Sequence, residues 1–306
     1  MITYTIQQIW GKILEKIRKP AVAGQFYEGR ESPLIERLKD CFIDERGPKT
    51  LPKINPKEKQ NIGIVVPHAG YIYSGAIAAH SYNYLAKNGF ADTFIILGPN
   101  HTGMGSAVSV MTEGAWLTPL GEIPINEKLS NQLLNEPISK DDNAHMYEHS
   151  IEVQLPFLQF TAGKKEFEFV PICMAMQDTE ISTKVGEIIA DVIKKTDENV
   201  AIIASTDFSH AGFNYMSIPP EGMRVDEYAE KQDKLAIDQI LNMNPGGLID
   251  TVKKNNITMC GYGPVAAMLT AVKILGANKA ELLKYGTSYE VHPGTSCVGY
   301  GAIAVY

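Results

Sequence analysis

The chain has 306 residues, of which 44% are hydrophobic and 21% charged, and its formal net charge is −7. These proportions are typical of a globular protein with a buried core, and the acidic balance argues against nucleic-acid or anionic-membrane surfaces, which need excess Lys and Arg. No apolar run approaches the roughly 18 residues of a membrane span, and KILEKIRKP before PAVAG has the wrong order for a signal peptide, so we expect a cytoplasmic protein.

The first predicted elements are helices. Apolar residues spaced along residues 2–18 predict an amphipathic helix, and we treat residues 1–17 as an N-terminal helical extension. SPLIERLKDCF (32–42) predicts a second helix with Ser32 as its N-cap and Pro33 in its first position. GAIAAHSYNYLAKN predicts a third helix, which ends at Gly89.

Strands and helices then alternate along the rest of the chain. Short apolar, β-branched runs predict buried strands at 62–67, 93–99, 167–175, 199–206 and 297–306. Helical patterns lie between them at 127–135, 148–160, 181–195, 225–241 and 263–275. Such alternation indicates βαβ units, so we predict one α/β domain over residues 18–306 with a largely parallel or mixed central sheet flanked by helices.

Histidines and an aspartate follow three of the predicted strands. His68 comes directly after 62–67, His101 after 93–99, and Asp207 and His210 after 199–206. In open α/β sheets, ligands bind outside the carboxyl ends of the strands. We therefore expect these side chains to meet at one edge and form a functional site.

Other titratable residues carry weaker signals. His80 lies within a predicted helix and is interpreted as structural, whereas His292, in the loop EVHPGTS, could reach the same edge or simply form a turn. Four cysteines without C-x-x-C spacing indicate neither a zinc knuckle nor a disulfide framework. Among them Cys260 stands just before a predicted helix, where it is either a buried, inert thiol or a ligand.

The string HMYEH (145–149) matches the inverted zinc-protease motif H-x-x-E-H. The motif requires both histidines on one helix, but the turn-forming residues Asp141, Asp142 and Asn143 place His145 before the predicted helix begins. A zinc hydrolase is therefore the least favoured function. The glycine-rich LGPNHTGMGSA matches neither the P-loop motif nor the G-x-G-x-x-G spacing of a dinucleotide-binding turn.

Six motifs in order resemble those of the Memo family. They are RKPAVAGQFY, VPHAGYIYSG, ILGPNH, EHSIEVQLPF, STDFSH and TMCGYGP, and the match runs from Arg18 to the C-terminus. The resemblance implies a fold similar to that of class III extradiol dioxygenases (LigB-like non-haem iron enzymes). It implies a pocket metal, iron or else copper, with His68, His101 and Cys260 as ligands and with His149, Asp207 and His210 lining the pocket.

Two imidazoles and one anionic ligand would leave open positions on Fe(II), as in the non-haem facial triad. A thiolate in place of the carboxylate is softer, so copper(I) or zinc are alternatives, and ordinary catechol cleavage is less expected.

Two functions stay open. The first is a metal-dependent oxidoreductase in which His149 or His210 is a general acid or base and Asp207 orients an imidazole. The second is a non-catalytic metal-binding or redox protein that holds a small molecule or peptide, with a radical-SAM protein as the partner that the family's microbial members suggest. The substrate and the oligomeric state are not predicted.

Overall fold

The computed structural model describes residues 16–55 and 63–306. Within these ranges the strands are Ile17–Arg18 (β1), Gly63–Val66 (β2), Thr93–Pro99 (β3), Val108–Val110 (β4), Ala115–Thr118 (β5), Gly121–Pro124 (β6), Ile138–Lys140 (β7), Glu168–Met174 (β8), Val200–Ser205 (β9), His210–Gly212 (β10), Ala280–Thr287 (β11) and Ser296–Val305 (β12). The α-helices there are Glu31–Ile43 (α1), Tyr71–Asn88 (α2), Glu127–Gln132 (α3), Leu155–Ala162 (α4), Thr179–Lys194 (α5), Val225–Leu241 (α6), Pro245–Asn255 (α7) and Tyr262–Ile274 (α8). None of these helices combines the length and apolarity that a membrane crossing requires.

A mixed sheet forms the centre of the fold. Its strand order in the described residues is β10-β12-β2-β9-β3-β8-β4-β7, with β11 paired to β12. The central strands β2, β9, β3 and β8 are parallel, whereas β12 and β4 run antiparallel to β2 and β8. The predicted α/β fold with a mixed sheet flanked by helices is thus confirmed.

Both faces of the central strands are buried, because side chains alternate between two helical layers. Ile95 and Leu97 point into one core with α5, α6, α7 and α8. Phe94 and Ile96 point into the other core with α1, α2 and α4. A strand that is covered on both faces has a continuous run of apolar residues in its sequence. The bounds of these strands can therefore be predicted closely from the sequence.

The helix predicted over residues 2–18 lies mostly outside the described residues. At its end the prediction is wrong, since Ile17 and Arg18 form a strand. This strand, β1, pairs in parallel with β5, which also pairs with β6, and the three make a small separate sheet. The pairing partners lie about a hundred residues away, so helical periodicity gives no sign of them.

Several helix starts also differ from the prediction, and α2 begins at Tyr71, four residues before the predicted start at Gly75. The helix α1 begins at Glu31 after Arg30, so Ser32 is not its N-cap. The helix expected over 148–160 begins only at Leu155, after a short 3-10 turn at Glu152–Gln154. Its first residues stay irregular because the Glu148 carboxylate accepts hydrogen bonds from the backbone N–H groups of His149 and Ser150.

Candidate metal centre

The carboxyl ends of three neighbouring parallel strands carry the predicted residues to one edge. His68 follows β2, His101 follows β3 and Asp207 follows β9. The strands are hydrogen-bonded side by side in the order β2-β9-β3. The expected convergence at a single sheet edge is therefore what the fold produces.

Two of these side chains, His68 and His101, form a group with Cys260 whose spacing suits a bound metal. One ligand atom each from His68, His101 and Cys260 lies within 4.8 Å of the other two. His68 Nε2 lies 3.2 Å from Cys260 Sγ. Two imidazole nitrogens and a sulfur at this spacing fit a transition metal such as iron, copper or zinc.

Cys260 reaches the edge from the loop before α8. Its backbone N–H donates to the Asp207 carbonyl at 3.3 Å, and the Asp207 N–H donates to its sulfur at 3.3 Å. A side chain at Gly261 would place its Cβ 2.5 Å from the Ser205 carbonyl oxygen, so only glycine lets this loop lie against the end of β9. Burial and the nearby Asp207 charge raise the pKa of the Cys260 thiol, so a bound metal must displace its proton.

Burial holds the pKa of His68 well below its ordinary value, and a proton on a neighbouring imidazole would lower it further. The ring is therefore neutral, as metal ligation requires. Its Nδ1 lies 2.9 Å from Ser205 Oγ, on the side away from Cys260.

Glu148 holds two imidazoles at once. Its carboxylate is 2.9 Å from His101 Nδ1 and 3.3 Å from His149 Nδ1, and it also accepts the His101 backbone N–H at 2.6 Å. Burial opposes ionisation of this carboxyl, but the hydrogen bond from His101 and the two imidazoles lower its pKa to about 2. His101, Glu148 and His149 could themselves group around a metal, yet these contacts make them a hydrogen-bonded set that supports His101.

His149 stacks on His101 with 4.7 Å between the ring centroids, and Phe26 covers it at 4.8 Å. Burial lowers its pKa, and the Glu148 carboxylate opposes this shift. His149 is therefore a neutral imidazole next to the ligand set.

The Nδ1 atom of His210 lies between two backbone carbonyl oxygens, at 3.0 Å from Phe208 and 3.1 Å from Thr258. Both oxygens can only accept, so Nδ1 carries a proton and the lone pair of the neutral ring is on Nε2. A free Nε2 in a cavity-lining ring suits a general base.

The role predicted for Asp207 needs correction. Its Oδ1 accepts the backbone N–H groups of His68, at 2.8 Å, and Ala69, at 3.3 Å, and no imidazole nitrogen. Asp207 therefore orients the His68 backbone instead of a ring. Burial raises its pKa, against the lowering effect of His210.

A cavity of about 470 Å³ is lined by His68 and His101, two of the three candidate ligands. Its walls include His149, Asp207, His210 and His292 together with the aromatic rings of Phe26, Tyr73 and Tyr215. No lysine or arginine of the described residues lines it. Of the two interpretations of His292, the structure supports the one in which the residue reaches the sheet edge, because His292 lines the cavity. His80 lies elsewhere and binds the Arg46 carbonyl. Tyr71 is buried in the core.

His145 lies away from this cavity. It ends a 3-10 turn at Asn143–His145, is fully buried, and faces the ring of Trp116. Burial and the charge of Arg18 lower its pKa to about 4. Within the described ranges it belongs to no group that could hold a metal, so it does not pair with His149 as the H-x-x-E-H motif requires.

We expect His145→Phe, which keeps an aromatic ring in the core, to leave the affinity for Zn(II) and Co(II) unchanged. The measurement is a competitive titration against a chromophoric chelator. A tenfold loss of affinity would restore the zinc-hydrolase interpretation.

Three residues that support the ligands were not singled out by the sequence. The sequence pattern predicts Glu148 in the first turn of a helix and indicates no role for Ser205 or Gln154. Glu148 and Gln154 do lie in the motif EHSIEVQLPF, and an acidic or amide residue at a buried position is a signal, since it needs hydrogen-bond partners. Burial itself could not be read from the sequence.

Comparisons with known proteins show the family of the chain. A family model described as Memo-like protein matches residues 18–304. A MEMO1 family protein of Methanopyrus kandleri is 46% identical over 94% of this chain and 98% of its own length. One from Methanocaldococcus jannaschii is 45% identical over 95% of this chain and 100% of its own length.

Among solved structures, the uncharacterized protein JW3007 from Escherichia coli K12 superposes with a TM-score of 0.50. The match covers 80% of this chain and 99% of that one at 10% identity, so it bears on the fold alone. With the family model spanning nearly the whole chain and relatives above 40% identity, the chain belongs to the Memo-like protein family.

Proposed function

We propose that the chain is a metal-dependent oxidoreductase of LigB-like dioxygenase fold, in which His68, His101 and Cys260 hold iron, with copper or zinc as alternatives. The observation that carries the proposal is the mutual distance of 4.8 Å or less among their ligand atoms. Two imidazoles and one thiolate make a three-ligand site with open positions.

Each residue of the proposed site has its own role. His68 and His101 supply imidazole nitrogens, and Cys260 supplies a thiolate once its proton has left. A redox-active metal held there would supply electron exchange and a place for substrate to bind. The ordered hydrogen bonds to Glu148 and Ser205 keep both rings in place before any ligand arrives.

His210 and His149 are the groups able to move a proton in the cavity. His210 is the better candidate for the base, because the carbonyls of Phe208 and Thr258 hold its proton on Nδ1 and also stabilise the ring after it accepts a second proton. His149 shares the Glu148 carboxylate, which ties it to His101.

The cavity walls indicate the kind of substrate. The rings of Phe26, Tyr73, Tyr215 and Tyr300 line the space, and no lysine or arginine of the described residues does. A phosphorylated or strongly anionic molecule would find no lysine or arginine to bind it. A small, flat molecule with an ionisable hydroxyl group suits these walls better.

The test is reconstitution with Fe(II) without oxygen, followed by oxygen-uptake measurements with catechol-type and other reducing substrates. We expect uptake with at least one substrate, and a fall of about 10²–10⁴-fold in kcat for His210→Gln. The matched control is His80→Gln, whose ring binds the Arg46 carbonyl far from the cavity.

Tight metal binding without oxygen uptake for any substrate of the panel would contradict an enzymatic function. It would favour the second candidate, a non-catalytic metal-binding or redox protein that acts with a small molecule, a peptide or a radical-SAM partner. The observation on its side is the oxidisable thiolate ligand, which itself can record a redox state.

A further inference from the structure

A buried chain of hydrogen bonds runs behind His68. His68 Nδ1 lies 2.9 Å from Ser205 Oγ, which in turn lies 2.6 Å from the Ser150 carbonyl oxygen and 2.8 Å from Gln154 Nε2. His68, Ser205, Ser150 and Gln154 all have exposed fractions of 2% or less. The great majority of buried polar groups have a hydrogen-bond partner, and the contacts of these four residues let the protons be assigned one by one.

The orientation of the Gln154 amide comes first. One of its N–H groups donates to the Pro67 carbonyl at 3.0 Å, and its Oε1 accepts the Tyr82 hydroxyl at 2.6 Å. A flipped amide would set Oε1 against the Pro67 oxygen, two acceptors without a proton between them. The second N–H of Gln154 therefore donates to Ser205 Oγ.

The single proton of the Ser205 hydroxyl is then determined. The Ser150 carbonyl can only accept, so the Ser205 hydroxyl donates to it. With one lone pair occupied by Gln154, the remaining lone pair of Ser205 Oγ must accept the proton on His68 Nδ1. The neutral ring consequently has its lone pair on Nε2, the atom 3.2 Å from Cys260 Sγ.

We infer that Ser205 and Gln154 are positioning residues that select the Nδ1–H tautomer of His68 and so leave Nε2 free as a ligand. In a neutral imidazole only the unprotonated nitrogen can bind a metal. The tautomer depends on the hydrogen bonds alone, whereas its consequence for metal affinity rests on the proposed function.

The first measurement uses metal-free protein labelled with ¹⁵N-histidine and a long-range ¹H–¹⁵N correlation spectrum, which distinguishes the two tautomers. We expect His68 to show Nδ1–H in the native chain and a shift toward Nε2–H in Ser205→Ala. The matched control is Ser81→Ala, another fully buried serine whose hydroxyl binds the Val65 carbonyl at 2.9 Å. His68 should keep the native tautomer in that variant.

The second measurement is Zn(II) affinity by chelator competition. Ser205→Ala should weaken binding by about 10- to 100-fold, the usual effect of removing a hydrogen-bond partner of a ligand, while Ser81→Ala should not. Gln154→Met leaves the Ser205 hydroxyl free to rotate. We therefore expect a smaller loss of Zn(II) affinity than in Ser205→Ala and a mixture of the two His68 tautomers. This variant serves if Ser205→Ala does not fold.

An Nε2–H proton on His68 in the native chain, or an unchanged tautomer in both Ser205→Ala and Gln154→Met, would overturn the inference. A shifted tautomer with unchanged Zn(II) affinity would support the inference but contradict His68 as a metal ligand. The two experiments thus separate the positioning role from the proposed function.

Discussion

Cys260→Ser is expected to weaken binding of Zn(II) and Co(II) by more than about 100-fold, because loss of a ligand costs more than loss of a residue behind one. A neutral serine hydroxyl replaces the only ligand of the three able to supply negative charge. Titration of the metal-free protein with Co(II) in the absence of oxygen provides the measurement, since a bound thiolate gives a charge-transfer band that the variant should lack.

Cys297→Ser is the matched control. Cys297 also lines the cavity and is buried, but it belongs to neither metal-type group of the described residues. Its variant should bind metal like the native chain, and His68→Ala should behave like Cys260→Ser. Native metal content in both His68→Ala and Cys260→Ser would exclude the proposed site.

Glu152→Ala is expected to lower the free energy of unfolding by about 3–5 kcal/mol, the usual cost of leaving one partner of a buried ion pair alone. The carboxylate of Glu152 forms an ion pair with Arg18, and both side chains are fully buried. It also accepts the Tyr27 hydroxyl at 2.6 Å and the Ala21 N–H at 2.7 Å. The ion pair and the two hydrogen bonds connect β1 and the residues after it to the segment that contains Glu148 and His149.

Guanidinium unfolding of the metal-free protein measures the decrease in the free energy of unfolding. As a control, Asp238→Ala removes an exposed ion pair with Lys234 on α6 and should cost about 0.3–0.5 kcal/mol. The double variant Arg18→Met/Glu152→Leu should recover much of the stability, because it leaves no buried charge unpaired. A loss no larger for Glu152→Ala than for Asp238→Ala would show that the buried pair does not stabilise the fold.

The central strands and most helices could be predicted because each is decided by its own residues. The strand β3 has the predicted bounds 93–99, and α6 the predicted bounds 225–241. The prediction missed β11, whose side chains are mostly half-exposed and mixed in polarity, and α7, which starts at Pro245 and contains two glycines. Short strands such as β4 and β7 exist only through pairing with distant segments, which local patterns do not report.

By itself, the sequence determined the fold class and the residues that follow the strands, since apolar runs and turns are local properties and parallel strands end at a common edge. Only the tertiary structure decided the rest. It buried His145 and excluded it from the site, turned the Asp207 carboxylate to backbone N–H groups, and placed Glu148, Ser205 and Gln154 behind the imidazoles. The physical reason is that burial and hydrogen-bond partnership join residues from 47 to 139 positions apart, and no local pattern in the chain encodes such contacts.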